Sequence, residues 1–357
     1  MMEILNGTCS VQQIDETTWR VVIWPDGDRR NGSKGYMWCH TSGELCAGRK
    51  IIVYYFEPTR GTDHLRKTLR DYAGMIVSDA YSGYYTIEKE CGGRIRVAMC
   101  WMHCRRYFAA AVMDAEDRME GKTPEEILDM PAVKGLLLAN RVFAADTPLK
   151  QCRDAEERKK KRSGKVAPEM EQFFTFVHGV DTEDEALDPK LREAVVYALN
   201  QEAHLRVFLE HGEVPIDNGE AERCFKVIAA SRKSSLFSYS LAGAEADAVM
   251  HSVVETARAN GADVFTYLKY VLEKMPERMA AGEKPEDFMD EMMPWSAEYL
   301  DYERLQKERH TDEYVPESNE PAPGTAFRYR EIYLRQKAAE AGSSVRTQKT
   351  PEKKKTA

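Results

Sequence analysis

Three carboxylates have the residue types and positions for metal-ion chemistry. Asp15 lies midway along a β-rich stretch, where a charge is unexpected unless it faces a site. Asp79 ends the short apolar run 75–79, and the tip of a buried strand is a common site position in α/β folds. Glu222 lies near the start of a predicted helix. Acids that converge from two strands and a helix repel each other unless a hard divalent cation lies between them.

The role of Glu222 is open from spacing alone. Its helix is predicted to begin at Asp217, with Glu220 three residues later as in a capping box. Asp217 and Glu220 would then stabilise the first turn, whereas Glu222 has no such function. The competing interpretation is an exposed i,i+4 ion pair with Lys226, worth a few tenths of a kcal/mol.

The elements that must position these acids follow from local patterns. The first part of the chain predicts an antiparallel meander with strands at 11–23, 36–40 and 50–56 and a turn at 25–28. A helix over 62–72, a strand over 75–79, a strand over 94–99 and a helix from Cys100 follow. From 109 to 211 the pattern is helical, with an exposed linker near 159–165. Further helices are predicted at 191–209, 242–259 and 264–275, and a flexible segment at 315–324.

Composition and charge narrow the class of protein. The 357 residues allow two or three structural units, and 43% apolar with 31% charged residues describe an ordinary soluble globular protein. The net charge of −8 argues against a non-specific polyanion binder, although local basic surface can still bind nucleic acid. Neither a signal peptide nor an apolar run long enough for a bilayer is evident. The eight cysteines lack a secreted spacing pattern, so we expect reduced thiols in a cytosolic protein.

Several short motifs stand in one order along the chain. They are Ile14-Asp15-Glu16-Thr17, Ser78-Asp79-Ala80-Tyr81-Ser82-Gly83-Tyr84, Cys100-Trp101-Met102-His103-Cys104-Arg105-Arg106-Tyr107-Phe108, Asp217-Asn218-Gly219-Glu220-Ala221-Glu222-Arg223, Ser231-Arg232-Lys233-Ser234-Ser235-Leu236-Phe237, Gly243-Ala244-Glu245-Ala246, Glu255-Thr256-Ala257-Arg258-Ala259-Asn260-Gly261 and Met293-Pro294-Trp295. In this order they resemble the motifs of the IS66-family DDE transposases, over roughly residues 10 to 300.

The resemblance implies a fold and a division of the chain. Such enzymes have an RNase H-like core, a mixed α/β sheet flanked by helices, interrupted by an all-helical insertion before the final Glu. The expected segments are a first core part at 1–108, the insertion at 109–211, a second core part at 212–275, a C-terminal extension at 276–330 and a disordered basic tail at 331–357.

The resemblance also implies residue roles. Asp15, Asp79 and Glu222 would be the catalytic triad and would hold Mg²⁺ or Mn²⁺, as two ions about 4 Å apart that activate a water or a 3′-hydroxyl. Cys100 and His103 match a Cys-x-x-His signature beside the active site. The expected DNA contacts are Arg60, His103, Arg105, Arg106, Arg223, Arg232 and Lys233.

Simpler interpretations compete with several of these roles. Each basic residue could be a solvated charge or part of a structural ion pair, and Cys100 and Cys104 could simply pack in a helix. A zinc site from Cys91, Cys100, His103 and Cys104 lacks a second well-spaced pair. Trp101 and Phe237 are expected in the core rather than as base-stacking platforms.

The chain departs from the family pattern in three places. Asn218-Gly219 replaces the usual Asn-Asn, and Lys226-Val227 replaces Arg-Pro, but neither change removes a carboxylate. These transposases also carry a long N-terminal region with a zinc-binding segment and DNA-recognition helices. Here the chain begins shortly before Asp15, so recognition of the element's terminal sequences is expected to be weak or missing.

Three functional hypotheses result. The first is a metal-dependent DDE transposase that cuts and joins the DNA of an insertion sequence in the bacterial cytosol, as a homodimer in a synaptic complex with transposon ends and target, and with no membrane partner. The second is a catalytically silent remnant that retains the fold and a DNA or self-association surface. The third is a nuclease relative that hydrolyses DNA without strand transfer.

Overall fold

The computed structural model describes residues 1–24, 34–46 and 49–313, without the side chains of 234, 235 and 309–313. Residues Met1–Glu303 form one compact unit, and a second unit begins at Arg304. The predicted turn at 25–28, the predicted flexible segment at 315–324 and the predicted basic tail at 331–357 lie outside the described residues.

A six-stranded mixed sheet organises the unit. Its strands are β1 (Val11–Ile23), β2 (Lys34–Ser42), β3 (Ile52–Glu57), β4 (Gly74–Ser78), β5 (Ile95–Met99) and β6 (Ser238–Ser240). The order is β3-β2-β1-β4-β5, and β6 pairs with the far end of β1. Strands β1, β2 and β3 are antiparallel neighbours, which confirms the predicted meander, whereas β4, β5 and β6 run parallel to β1 or to each other.

Helices cover both faces of the sheet and fill the interval between β5 and β6. They are α1 (Met2–Thr8), α2 (Asp63–Thr68), α3 (Ser82–Glu90), α4 (Trp101–Asp114), α5 (Pro124–Leu128), α6 (Pro131–Asp146), α7 (Ala155–Lys165), α8 (Ala167–His178), α9 (Pro189–Leu205), α10 (Val207–Glu210), α11 (Gly219–Ser235), α12 (Leu241–Ala259), α13 (Val264–Ala280), α14 (Pro285–Phe288) and α15 (Ala297–Glu313). Short 3₁₀ turns lie at Glu116–Met119, Thr147–Gln151 and Met289–Met292.

The predicted linker near 159–165 is wrong. These residues belong to α7, and its basic side chains do not all face solvent, because Arg158 and Arg162 are buried. Arg162 donates to Oδ1 of Asp146 at 2.7 Å and to the carbonyls of Phe208 and Val214, so a charged sequence run forms an interior contact. The charge pattern could not reveal that partner, which lies on another helix.

The helices between β5 and β6 share one core with the sheet. Trp101 and Phe108 of α4 are fully buried and pack on Phe173 of α8, while Ile76 and Val97 of the sheet belong to the same cluster. On the other face, α11 and α12 pack against the meander. The expected core position of Trp101 is confirmed. Phe237 is 40% exposed, with Arg20 above its ring, so its expected core position is wrong.

Beyond α12 the chain remains structured. Helix α13 continues through Pro276 to Ala280, past its predicted end. Tyr267, Tyr270 and Tyr299 form a buried aromatic cluster with Met292. At the other end of the chain, Cys9 and Cys46 form a disulfide, contrary to the expectation of reduced thiols throughout. No helix within the described ranges is long and apolar enough to cross a bilayer.

Candidate active site

The register between β1 and β4 places Asp15 and Asp79 at the same edge of the sheet. Their parallel pairing ends at Gln13 and Val77, and each acid lies two residues beyond its strand's last pair. Asp79 is held where β4 ends, because its Oδ1 accepts a hydrogen bond from the Tyr81 backbone N–H at 3.0 Å. Past Asp15, β1 pairs with β2, where Asp15 lies opposite Cys39, and at its far end with β6.

Asn218 attaches the start of the Glu222 helix to β1. The Asn218 side chain is fully buried, and its Nδ2 donates to the carbonyl of Ile14 at 2.9 Å, next to Asp15. Its backbone N–H donates to Sγ of Cys100 at 3.2 Å. Glu222 lies one helical turn later, where its N–H donates to the Asn218 carbonyl. Asn218 therefore joins β1, the residue after β5 and the start of α11.

The predicted capping box at this helix is wrong. Helix α11 begins at Gly219, and Oδ1 of Asp217 accepts from the Gly219 N–H at 2.9 Å, which is a turn ahead of the helix rather than a cap. Glu220 does not reach back to the chain before the helix, because it pairs with Arg223 and with Lys50 at 3.2 Å. Glu222 pairs with Arg106 instead of the alternative partner Lys226.

The charges of Asp79 and Glu222 both act on Asp15. Burial raises the pKa of Asp15 to about 7, and the charges of Glu16, Asp79 and Glu222 add to that increase. The pKa of Glu16 is also raised, mainly by burial and next by the charge of Asp79. A fourth carboxylate, Glu16, therefore belongs to the cluster. Sequence analysis did not select Glu16 as a site residue, because its position beside Asp15 was the only signal.

Two arginines partly neutralise these acids. Arg60 pairs with Glu16 and lies 3.6 Å from Oδ2 of Asp79. Nη2 of Arg106 donates to Oε2 of Glu222 at 2.8 Å. His103 adds little charge at neutral pH, because burial and the neighbouring Arg106 lower its pKa. Four carboxylates thus face two guanidinium groups, an excess of negative charge that favours a cation.

One further observation fits a divalent metal ion, and a nearby group of donor atoms does not add to it. Oε1 of Glu222 is buried and has no hydrogen-bond partner among the described residues, so a lone pair is left for a ligand. Donor atoms of Cys100, His103 and Glu222 also lie within 4.8 Å of one another. Burial raises the pKa of Cys100 to about 12, and its sulfur already accepts the Asn218 N–H, so Cys100 packs as a protonated thiol. Oxygen ligands are those that Mg²⁺ prefers.

The predicted DNA contacts divide into two groups. Arg60, His103 and Arg106 lie at the acid cluster. The structure does not bring the remaining arginines there. Nε of Arg105 donates to Oδ1 of Asn140 in the insertion at 2.6 Å, Arg223 pairs with Glu220, and Arg232 donates to Oγ1 of Thr17 at 2.9 Å. Lys233 is exposed on α11.

Fold and site together define a mixed α/β protein with a carboxylate cluster suited to a divalent cation. The chain belongs to the IS66 transposase family: the model of the Transposase IS66 family matches residues 3–246, and that of the IS66 C-terminal element matches 252–295. This confirms the family resemblance inferred from the motifs.

Three relatives come from Sinorhizobium fredii (strain NBRC 101917 / NGR234). The uncharacterized protein y4jD is 26% identical over 249 residues, 69% of this chain and 45% of that protein. The uncharacterized protein y4qI is 27% identical over 295 residues, 79% and 50% respectively, and y4hP is 28% identical over 251 residues, 68% and 43%. The chain thus spans about half the length of the curated relatives it matches.

Proposed function

We propose that this chain carries the catalytic domain of a DDE transposase, with Asp15, Asp79 and Glu222 as its metal-binding catalytic residues. The fold we assign is RNase H-like. The sheet order β3-β2-β1-β4-β5, with antiparallel β1 to β3 and parallel β4 and β5, supports it. So does the helical interval 109–211, proposed as an insertion between the core parts 1–108 and 212–275.

The observation that carries the proposal is the buried Oε1 of Glu222, which accepts no hydrogen bond from the described residues, within a cluster whose negative charge exceeds its positive charge. Asp15, Asp79 and Glu222 would hold Mg²⁺ or Mn²⁺, in a two-ion arrangement. When bound, such ions lower the pKa of an attacking water or 3′-hydroxyl and stabilise the leaving oxygen of a phosphodiester.

The chain's own cations would position the DNA at this site. Arg106 is about half exposed and Arg60 is 40% exposed, so their remaining N–H groups can bind non-bridging phosphate oxygens. His103, neutral at pH 7, can accept a proton or a hydrogen bond beside Glu222. The partners would be transposon ends and target DNA in the bacterial cytosol, bound by a homodimer.

Metal binding and DNA processing test the proposal together. The variants Asp15→Asn, Asp79→Asn and Glu222→Gln each remove one charge of the cluster, and Glu245→Gln removes an exposed carboxylate on α12 as the matched control. We expect calorimetric Mn²⁺ binding and DNA cleavage and joining in the wild type and in Glu245→Gln. Each cluster variant should lose most of the binding heat and at least about 100-fold in cleavage rate.

The other two hypotheses predict different results. A silent remnant would show neither metal binding nor cleavage in the wild type, even with DNA present. A nuclease relative would cleave pre-nicked or generic DNA with the same three acids but would join no ends. The Glu222 oxygen that accepts no hydrogen bond and the excess of acids favour an active centre over a remnant.

A further inference from the structure

A second concave site lies on the other side of the first turn of α11. It is a cavity of about 710 Å³ between the insertion and the sheet, hereafter the basic cavity. Its charged lining residues are Glu44, Arg49, Lys50, Lys150, Arg153 and Glu220. Glu220 and Glu222 are two positions apart on one helix, so they project in nearly opposite directions.

The basic cavity carries an excess of positive charge. Four of its lining residues are cations and two are carboxylates. Each carboxylate is already bound by an arginine that does not line the cavity: Glu44 by the buried Arg158 at 3.4 Å, and Glu220 by Arg223. Glu220 also lies 3.2 Å from Lys50, so the two acids offset only part of the positive charge at the cavity surface.

Two of these cations have no acidic partner among the described residues. Arg153 donates through Nη1 to the backbone carbonyl of Glu44 at 3.1 Å, and Arg49 lies over the ring of Trp295 at 5.4 Å. Lys150 is 46% exposed and lies 3.7 Å from Asp217, while Lys50 is 3.2 Å from Glu220. Guanidinium groups oriented by neutral partners keep free N–H donors for a phosphate.

The cations come from parts of the chain that are far apart in sequence. Arg49 and Lys50 precede β3, whereas Lys150 and Arg153 lie in and after the 3₁₀ turn Thr147–Gln151 of the helical interval. The volume of the cavity exceeds that of a single phosphate group. A DNA strand presents phosphates in series, one about every 3.4 Å of helix axis, and can contact several of these cations at once.

We propose that the basic cavity binds the phosphate backbone of DNA and that the helical insertion, through Lys150 and Arg153, is part of the DNA-binding surface. This inference rests on the proposed function for its choice of DNA as the polyanion. The bound backbone would run beside the N-terminal turn of α11, the turn that also carries Glu222.

The test compares two pairs of charge-reversal substitutions, both within the helical insertion. The variant pair Lys150→Glu with Arg153→Glu alters the basic cavity, and Lys134→Glu with Lys160→Glu makes the same charge change at exposed positions that do not line it. Binding of a labelled DNA duplex is measured by fluorescence anisotropy in EDTA over a range of salt concentrations. The neutral pair Lys150→Gln with Arg153→Gln and thermal unfolding of every variant separate lost contacts from lost folding.

We expect the cavity pair to bind DNA at least tenfold more weakly at low salt. The slope of log K against log salt should fall by about 1.8, the value for two lost phosphate contacts. The neutral pair should show the same reduced slope as the charge-reversal pair in the cavity. The control pair should lose no more than about threefold in affinity, with an unchanged slope, because it changes only the long-range attraction.

Equal effects of the cavity and control pairs would overturn the inference. So would calorimetric binding of inorganic phosphate that the cavity pair loses while its DNA binding is unchanged, which would assign the cavity to a small anion. Wild-type DNA binding that depends on the cavity, without cleavage, would uphold the inference while the proposed function fails. Cleavage together with DNA binding that does not depend on the cavity would uphold the proposed function and overturn the inference. Absence of any wild-type DNA binding would overturn both proposals.

Discussion

Arg106 and Glu222 form an ion pair in which only half of the carboxylate is used. Nη2 of Arg106 donates to Oε2 at 2.8 Å, whereas the buried Oε1 accepts no hydrogen bond in the described part of the chain and lies 4.0 Å from Nε2 of His103. The arginine belongs to α4 and the glutamate to α11, so the pair joins the helix after β5 to the helix of the third acid. The same carboxylate is thus shared between a structural contact and a candidate metal site.

Replacing Arg106 should increase the affinity for a divalent cation. In the variant Arg106→Gln, Glu222 loses a competing positive charge, and we expect Mn²⁺ to bind about two- to tenfold more tightly in the absence of DNA. Calorimetry measures the change. Arg105→Gln is the matched control, because its guanidinium contacts Asn140 rather than the acids. Weaker or unchanged Mn²⁺ binding in Arg106→Gln would contradict the shared-carboxylate arrangement.

Removing the charge of Asp15 should stabilise the metal-free protein at alkaline pH. The folded-state pKa of about 7 lies above the unfolded value of 3.8, so the folded state binds the proton more tightly and loses stability as pH rises from about 4 to about 7. Without divalent ions, Asp15→Asn should therefore be more stable than the wild type by about 1–4 kcal/mol near pH 8.

That advantage should nearly vanish near pH 4, where Asp15 is protonated in the folded state, and urea unfolding at both pH values measures it. Added Mn²⁺ should stabilise the wild type and leave Asp15→Asn unchanged. A variant that is less stable than the wild type near pH 8 would show that Asp15 has a structural contact that outweighs the repulsion.

A buried histidine should make the protein sensitive to acid. Burial and the neighbouring His64 hold the pKa of His40 well below its usual value; its Nε2 lies 3.1 Å from Nε2 of His64, which in turn faces Glu57. The unfolded chain takes up this proton near pH 6.5, so the stability that the neutral His40 provides is present above about pH 6.5 and lost as pH falls.

The variant His40→Gln removes that proton uptake but keeps a polar side chain beside Gln12. We expect its unfolding free energy to fall less between about pH 7.5 and about pH 5.5 than that of the wild type. Urea melts at the two pH values give the difference. His178→Gln, at a histidine that is 57% exposed, should behave like the wild type. An equal pH dependence in all three proteins would exclude His40 as the source.

Breaking the buried pair of Arg162 and Asp146 should separate the insertion from the segment before α11. Each side chain of the pair is at most 2% exposed, and Arg162 also binds three backbone carbonyls at 208, 211 and 214. Arg162→Met leaves Asp146 buried without its partner and should lower the unfolding free energy by about 3–5 kcal/mol.

The neighbouring Lys161→Met is the control. Lys161 is 42% exposed and pairs with Glu157 on the same helix, so we expect a change within about 0.5 kcal/mol. Denaturant unfolding compares the two variants. Similar small losses in both would mean that the buried pair contributes no more than a surface pair.

Much of the local structure could be predicted because it depends on neighbours in sequence. The meander, β4 and β5 follow from β-rich runs bounded by turn residues, and Thr123 and Glu126 form a capping box at the start of α5. The predictions failed where a distant residue decided the outcome. Glu220 takes Lys50 and Arg223 as partners, and the basic run of α7 is partly interior because Asp146 and Glu44 lie opposite.

The sequence by itself determined the family, the three candidate acids and most of the elements that carry them, because motifs and periodicity are properties of short stretches. Only the tertiary structure decided that Glu16 and Arg60 belong beside those acids, that Arg106 occupies one oxygen of Glu222, and that Lys150 and Arg153 meet Arg49 and Lys50. Charge interactions decay with distance in space rather than along the chain. Such groupings therefore appear only when the sheet register and the helix packing bring the residues together.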